Sequence, residues 1–189
     1  GKNYLWIGDS KYKGLGIFAK ENLSLTLLGW TNNYEDKLAK HFLSCRVNSE
    51  FNLIAVWTHY NNSPTFGYIG QFWKYLQLHK SNFKNCLIVG ISTVTQFGTN
   101  QKEFGIIVML SENLKISTYT VFITASIIWN KEQKSIHIFP LEKLKQTLHI
   151  DYIFGSRVFK NSLEKIEIGK IEDWIPIGDH LPMSCEFAF

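Results

Sequence analysis

Apolar residues in this chain fall mainly into short runs that polar turns separate, a pattern typical of a protein rich in β-strands. The runs at residues 52–57 and 85–89 are almost continuously apolar, which indicates strands covered on both faces. Residues 8–11 form a polar turn between two further apolar stretches, so we predict a hairpin there. The other predicted strands are residues 4–7, 14–19, 149–154 and 183–189, the last of them in the interior of its sheet.

A helix is predicted between the strands at residues 52–57 and 85–89. Apolar residues recur there with the spacing i, i+3, i+4, i+7, and His79 lies off the stripe that they form: Ile69, Phe72, Trp73 and Leu76. The aromatic residues of this segment also follow helical spacing, so we expect them to pack on the core rather than to stack on bases: Tyr68, Phe72, Trp73 and Tyr75. The elements together predict an α/β protein with mixed sheets, in one domain that covers residues 1–189.

Composition restricts the class of protein further. Hydrophobic residues make up 45% of the 189 residues, so the chain can bury a core, and no run of about 18 apolar residues predicts a membrane span. The chain has three cysteines, an odd number, and they are not spaced as metal ligands. We therefore expect buried free thiols in a reducing compartment: Cys45, Cys86 and Cys185. We therefore expect a monomer in the cytoplasm.

Two short motifs near the C-terminus carry the most specific chemical signal. Residues 149–154 read His-Ile-Asp-Tyr-Ile-Phe, and residues 178–183 read Gly-Asp-His-Leu-Pro-Met. They resemble the last two signature elements of the endonuclease/exonuclease/phosphatase superfamily of metal-dependent phosphodiesterases. The resemblance extends upstream, in the order that the family uses, to four more segments: residues 6–8, 13–19, 51–57 and 87–90.

The resemblance implies a four-layer α/β/β/α sandwich, in which two mixed sheets pack face to face between outer helices. The active site of the family is a cleft at one end of the sheets, where strand ends supply the catalytic side chains. Mg²⁺ or Mn²⁺ polarises the phosphate there, an Asp activates the attacking water, and a His and an Asn bind the phosphoryl oxygens. The implied substrate is nucleic acid or another phosphodiester.

Five residues are candidates for that site. By the resemblance, His180 donates to the phosphate in the transition state, and Asp179 orients water or contacts the metal. Asp151 pairs with His180 and fixes its tautomer, although it can also be a simple strand-end carboxylate. Trp57 lies near the position of a family Tyr that reaches the phosphate, with a core or cleft-wall Trp as the alternative. Thr93 is a weaker candidate for the cleft.

The remaining histidines carry no clear signal. They are scattered without the spacing of a zinc site, so we expect surface or hydrogen-bonded imidazoles at His41, His59, His79 and His137. The polar loop at residues 58–63 can border the cleft, although turn chemistry alone explains it.

Two elements of the family pattern are missing. The family begins with a Trp-Asn strand, a helix and a strand that ends in Gln-Glu, whose Glu is the main metal ligand. Nothing before Tyr4 matches these elements, so we expect a partial domain that lacks the first strand-helix-strand. After residues 87–90 the family continues Asp-Phe-Asn, whereas this chain has Ile91, Ser92 and Thr93. An aliphatic side chain cannot accept a proton, so the general base is absent.

A shift of reading frame accounts for the second difference. The DNA string GATTTCAACAGTAACACAATTTGGGAC encodes Asp-Phe-Asn-Ser-Asn-Thr-Ile-Trp-Asp, and reading from its second base gives residues 91–99. A continuation that encodes Asp-Lys-Pro-Lys-Arg-Ile-Trp-Asn-His-Ser gives residues 99–108 in the same shifted frame, and residues 131–139 allow a weaker reading of this kind. Codon choice leaves room for coincidence, but the length of the match favours compensating insertions and deletions, in a decayed gene or in the determined sequence.

Three interpretations of function follow. The first is a divalent-metal phosphodiesterase or endonuclease acting on nucleic acid, with negligible turnover as written, because losing a general base costs a factor of about 10²–10⁴. The second is a non-catalytic phosphate- or nucleic-acid-binding remnant, which the net charge of +4 would assist. The third is a fragment that folds poorly, because removing an inner strand leaves unpaired edge groups.

Sequencing the source DNA tests the frame-shift hypothesis. We expect codons at residues 91–93 that read Asp-Phe-Asn after a one-base shift, and upstream DNA that encodes an Asn-bearing strand and a Gln-Glu segment. An unambiguous set of codons for these residues that cannot encode Asp-Phe-Asn in the neighbouring frame would contradict it.

Overall fold

A computed structural model describes residues 3–10, 13–59, 63, 65–91, 106–113, 118–125, 151–174 and 181–189 of the chain. The strands are β1 (Tyr4–Ser10), β2 (Lys13–Ala19), β3 (Leu25–Leu27), β4 (Asn33–Tyr34), β5 (Lys37–Leu38), β6 (Phe42–Val47), β7 (Phe51–Trp57), β8 (Cys86–Ile91), β9 (Ile106–Asn113), β10 (Thr118–Ala125), β11 (Asp151–Gly155), β12 (Leu163–Ile168) and β13 (Met183–Ala188). The α-helices are α1 (Ile69–His79), α2 (Arg157–Ser162) and α3 (Ile171–Trp174), and a 3-10 helix (Lys80–Asn82) follows α1.

Two large mixed sheets organise these strands. The first has the order β1-β2-β9-β10-β13-β12, in which only the β2–β9 pairing is parallel. The second has the order β11-β8-β7-β6-β3, in which β7 and β8 are parallel and joined through α1. The predicted hairpin is confirmed, since β1 pairs antiparallel with β2, and β13 lies between β10 and β12, in the interior as predicted.

The two sheets pack face to face over a shared apolar core. Buried side chains from β2 and β13 of one sheet meet buried side chains from β6, β7 and β8 of the other, and Phe159 of α2 joins them. Fully burying a Leu or Ile stabilises a fold by about 1.5–3 kcal/mol, so this interface is a main source of stability. Representative members are Leu15, Ile17, Cys45, Leu53, Leu87 and Phe187.

Helix α1 covers the other face of the five-stranded sheet. Phe72 and Tyr75 pack there on Phe42 and Ile54, and His79 is buried as well. The prediction that Phe72 and Tyr75 pack on the core is confirmed. The predicted stripe is wrong at Ile69 and Trp73, which are 49% and 59% exposed. The buried face of α1 is rotated from the predicted stripe toward Tyr75 and His79. Gln71 and His79 are buried on this face, and Ile69 and Trp73 are not.

The described elements confirm the predicted fold class, a mixed α/β protein built on two mixed sheets with few helices. The predicted absence of a first strand-helix-strand stays a prediction, as does the division into one domain. Among the described residues, no helix combines the length and apolarity that crossing a membrane requires.

The three cysteines are buried free thiols, as the sequence predicted. Burial raises the pKa of the Cys45 and Cys86 thiols to about 12, and that of Cys185 to about 11. A thiol is a nucleophile and metal ligand only after it loses its proton, so these three side chains serve as core residues.

Gly90 in β8 makes a contact that only glycine allows. Its φ of +150° is rare for residues with a side chain, and an added Cβ would lie 1.8 Å from the carbonyl oxygen of Val56. Val56 is its Cα partner on the parallel strand β7. The close pairing of β7 with β8 therefore requires a glycine at this position.

We predict that Gly90→Ala lowers the free energy of unfolding by about 2–4 kcal/mol, because the backbone strain and the clash with Val56 both oppose folding. Gly29→Ala is the matched control, since a Cβ at Gly29 meets no atom within 4 Å, and it should change stability by less than about 0.5 kcal/mol. Urea denaturation measures both. Equal midpoints for the two variants would contradict the requirement for glycine in β8.

Candidate functional site

One end of the five-stranded sheet brings together the ends of three strands. β7 and β8 run parallel, so their carboxyl ends meet there, and Trp57 is the Cα partner of Ile91. β11 runs antiparallel to β8 and so begins at the same end, where Asp151 is the Cα partner of the same Ile91. Trp57, Ile91 and Asp151 therefore form one row across three adjacent strands, which we call the sheet-end row.

The structure brings the backbones of two predicted site residues, Trp57 and Asp151, together in this row. The side chain of Asp151 is not among those described, so its pairing with His180 stays a prediction. Thr93, Asp179 and His180 lie outside the described residues, and their roles stay predictions as well.

Ile91 is the central member of the sheet-end row. It is the last residue of β8, and it directly follows the Gly90 that fixes the pairing with β7. The family resemblance expects the general-base Asp at this position. The fold therefore places a residue that cannot accept a proton between Trp57 and Asp151.

The indole of Trp57 separates the core from a pair of imidazoles. The side chain is half-buried and packs against the core between the sheets. The indole also contacts two imidazoles. Its ring centroid lies 5.1 Å from that of His41 and 4.3 Å from that of His59. This packing fits the cleft-wall alternative for Trp57 better than the role of a phosphate ligand.

His41 and His59 are joined by a short hydrogen bond beyond the end of β7. The Nδ1 atom of His41 lies 2.7 Å from the Nε2 atom of His59, so one ring donates and the other accepts. The Nε2 atom of His41 lies 3.7 Å from Oδ1 of Asp9. The two imidazoles and this carboxylate form a chain that we call the imidazole pair with its Asp9 partner.

Hydrogen bonds to the backbone carbonyl groups of both histidines hold these residues in place. The carbonyl oxygen of His59 accepts from Nε2 of Gln71 at 2.7 Å and from the backbone N–H of Tyr68 at 3.0 Å. The carbonyl oxygen of His41 accepts from the backbone N–H of Trp57 at 3.0 Å. His41 also has a φ of 49°, a conformation uncommon for a residue with a side chain. The sheet end and the start of α1 thus fix the position of the pair.

Burial keeps the imidazole pair neutral. It lowers the pKa of His59 to about 4, and the neighbouring His41 lowers this pKa as well, whereas Asp9 raises it. The pKa of His41 is also lowered, mainly by burial, with Asp9 again acting in the opposite direction. Lys13 and Lys40 lower the pKa of both rings because they place positive charge nearby.

The sequence did not reveal this pair. Its two histidines are 18 positions apart, and the sequence predicts only that each is a surface or hydrogen-bonded residue. The signal lies in the β6–β7 hairpin, where Phe42 is the Cα partner of Val56. This pairing sets His41 beside Trp57, so a prediction of β6 and its register would have placed both histidines at one sheet end. His79 is buried and bonded to the carbonyl oxygen of Thr31, as expected of a hydrogen-bonded histidine.

The described residues do not fit a divalent metal. Within that part of the chain, no group of three or more His, Cys, Asp and Glu side chains is arranged to hold an ion. Mg²⁺ prefers oxygen ligands, and the row contributes Ile91 where the resemblance expects a carboxylate. Asp179, the metal-contacting candidate, lies outside the described residues.

Comparison with known proteins gives two distant structural likenesses. A 3'-5' exonuclease (NExo) from Neisseria meningitidis shares 14% identity at a TM-score of 0.49, over 98% of this chain and 79% of that one. A variant of the 3' phosphatase NExo from Neisseria, bound to a product DNA hairpin, shares 14% identity at a TM-score of 0.46 with the same coverage. No protein-family model and no curated protein matches the chain.

The neutral imidazole pair predicts a pH dependence of stability. The folded-state pKa of His59 is about 4, and the unfolded value is about 6.5, so between these values the unfolded chain binds more protons. The free energy of unfolding should therefore fall as pH decreases from about 6.5 to 4, by up to about 1.4 kcal/mol per pH unit for each proton. Chemical denaturation across this range measures the slope.

His59→Gln should reduce this slope, because an amide keeps a polar contact with His41 but does not titrate. The slopes are compared rather than the stabilities themselves, because a uniform change in stability leaves the slope unaltered. Identical slopes in the parent chain and the variant would contradict the assignment of the titration to the pair.

Proposed function

We propose that this chain has the fold of a metal-dependent phosphodiesterase acting on nucleic acid and that, with the residues it carries, it has negligible turnover. The sheet-end row carries the proposal. The resemblance assigns three strand ends to the active-site cleft. In the structure the ends of β7, β8 and β11 lie side by side, because of the registers of β7 with β8 and of β8 with β11. The row offers Asp151 at one side and Trp57 at the other, but Ile91 in the centre.

The chemistry of the row explains the expected lack of turnover. Hydrolysis of a phosphodiester needs a group that takes a proton from the attacking water, and the position next to Gly90 holds an aliphatic residue. Loss of a general base commonly reduces the rate by a factor of about 10²–10⁴. His180 is predicted to donate a hydrogen bond to the phosphate, and Asp179 is predicted to orient water. Neither role replaces the missing base.

A second candidate function is phosphate or nucleic-acid binding without cleavage. The observation that favours it is the basic setting of the imidazole pair, to which Lys13 and Lys40 both contribute. A net charge of +4 for the whole chain has the same sign. Binding through such groups should weaken as salt increases, because counterions are released from the nucleic acid.

The experiment is incubation of the 189-residue chain with supercoiled plasmid and Mg²⁺, followed by electrophoresis. We predict no cleavage above a protein-free control, and salt-dependent DNA retention in a parallel gel-shift assay if the second function holds. Robust cleavage that His180→Ala abolishes would overturn the proposed lack of turnover.

A restoration variant keeps the test informative when no cleavage is seen. It carries Ile91→Asp, Ser92→Phe and Thr93→Asn, and it is expressed with any coding sequence that precedes Gly1 in the gene. Metal-dependent cleavage should appear in this variant and disappear when His180→Ala is added. Folded but inactive protein from the restored gene would contradict the assignment of this sheet end to phosphodiester hydrolysis.

A further inference from the structure

The imidazole pair has one buried member and one that solvent reaches. The side chain of His41 is 4% exposed, whereas Asp9 and Lys40 beside it are 49% and 60% exposed. His59 is of intermediate exposure, and among the described residues no group is hydrogen-bonded to its Nδ1 atom. A ligand can therefore approach the pair from the side of His59, Asp9 and Lys40.

Proton counting identifies the nitrogen that remains available. A separation of 2.7 Å between two ring nitrogens requires one proton between them. The carboxylate of Asp9 lies on the Nε2 side of His41, and it favours a proton on that nitrogen. His41 then accepts at Nδ1 from the Nε2–H of His59, so Nδ1 of His59 carries a lone pair. The next proton taken up goes to that nitrogen.

Charges around the pair favour an anion once this proton is bound. Within the described part of the chain, Lys13, Lys40 and Asp9 are the charged side chains that act on both imidazoles. Two lysines and one carboxylate leave one positive charge when the pair is neutral and two when it is protonated. Asp9 also lies 3.9 Å from the ammonium of Lys40, which offsets its repulsion of an anion. A charged N–H donor beside ammonium groups is a common arrangement for binding phosphate oxygens.

We propose that the imidazole pair and Lys40 form a phosphate-binding site beyond the end of β7, in which Asp9 fixes the tautomer of His41 and His59 takes up one proton as the phosphate binds. The ligand class is a phosphate group, either free in solution or within a nucleic-acid backbone. This site rests on the proposed function, because both place a phosphate at the end of the five-stranded sheet where β7 ends. It adds that phosphate is held by protonated imidazole on the β7 side, apart from the predicted His180.

Linkage fixes the sign of the pH dependence. A bound anion favours the charged form of the pair, so the complex holds more protons than the free protein at mildly acidic pH. Anion affinity should therefore rise as pH falls from 7 toward 5, by up to about tenfold per pH unit for one proton. The indole of Trp57 contacts both rings in tilted arrangements, so its fluorescence should report the same protonation.

Isothermal titration calorimetry with sulfate is the direct test, because sulfate keeps its charge from pH 5 to 7 while presenting phosphate-like oxygens. Titrations at pH 6 in two buffers of different ionisation enthalpy count the protons taken up. We expect net proton uptake when sulfate binds, and tighter binding at pH 5 than at pH 7. Binding without proton uptake, or no binding throughout this range, overturns the proposal.

Variants and ligands separate the possible sources of the effect. His59→Gln should remove the proton uptake and weaken binding at pH 5 by about tenfold or more, and His79→Gln, at the other end of α1, should change neither. Uptake that persists in His59→Gln overturns the assignment. Oligothymidylate tested beside inorganic phosphate shows whether a backbone phosphodiester or a free phosphate is preferred.

The outcome is separable from that of the plasmid assay. Plasmid cleavage with intact proton-coupled anion binding would overturn the lack of turnover and leave the phosphate site standing. Absence of both cleavage and anion binding would overturn the phosphate site alone. Since sulfate binding is measured on the parent chain, a variant that fails to fold does not remove the test.

Discussion

The parallel pairing of β7 with β8 is the constraint on which the rest of this structure depends. Gly90 lets the two backbones approach to a distance at which a Cβ would overlap the carbonyl oxygen of Val56. The pairing fixes Trp57 opposite Ile91, and the antiparallel strand β11 adds Asp151 to the same row. Because α1 joins the two parallel strands, it also anchors His59 through Gln71 and Tyr68. One backbone contact thus organises the sheet-end row, and the helix that joins the same two strands anchors His59 beside it.

Much of the fold follows from simple periodicity. The apolar runs at residues 52–57 and 85–89 were predicted as strands covered on both faces, and β7 and β8 lie between the core and α1 as that pattern requires. The buried face of α1 was predicted less well, because burial of Gln71 and His79 depends on tertiary hydrogen bonds to His59 and Thr31. Periodicity cannot register such partners, since they lie far away in the sequence.

In the candidate site, too, some features follow from the sequence pattern and others depend on residues that are distant in the sequence. Trp57 and Asp151 were predicted from motif resemblance, and their shared row follows from strand order and register. The pairing of His41 with His59 depends instead on a hairpin register and a left-handed residue before β6. A composition or spacing argument treats these histidines as unrelated. The sequence also predicts a break in the resemblance at Ile91, which directly follows a segment that matches the family pattern.

We propose that the sheet-end row is one side of a phosphate-binding cleft whose other side contains His180. An experimental structure of the chain at high resolution tests it most directly, through the distance between the Asp151 carboxylate and the His180 imidazole. We predict a hydrogen bond of about 2.7–3.2 Å between these two groups, beside the end of β8. An ordered His180 at the opposite end of the sheets, with no pocket shared with Asp151, would contradict it.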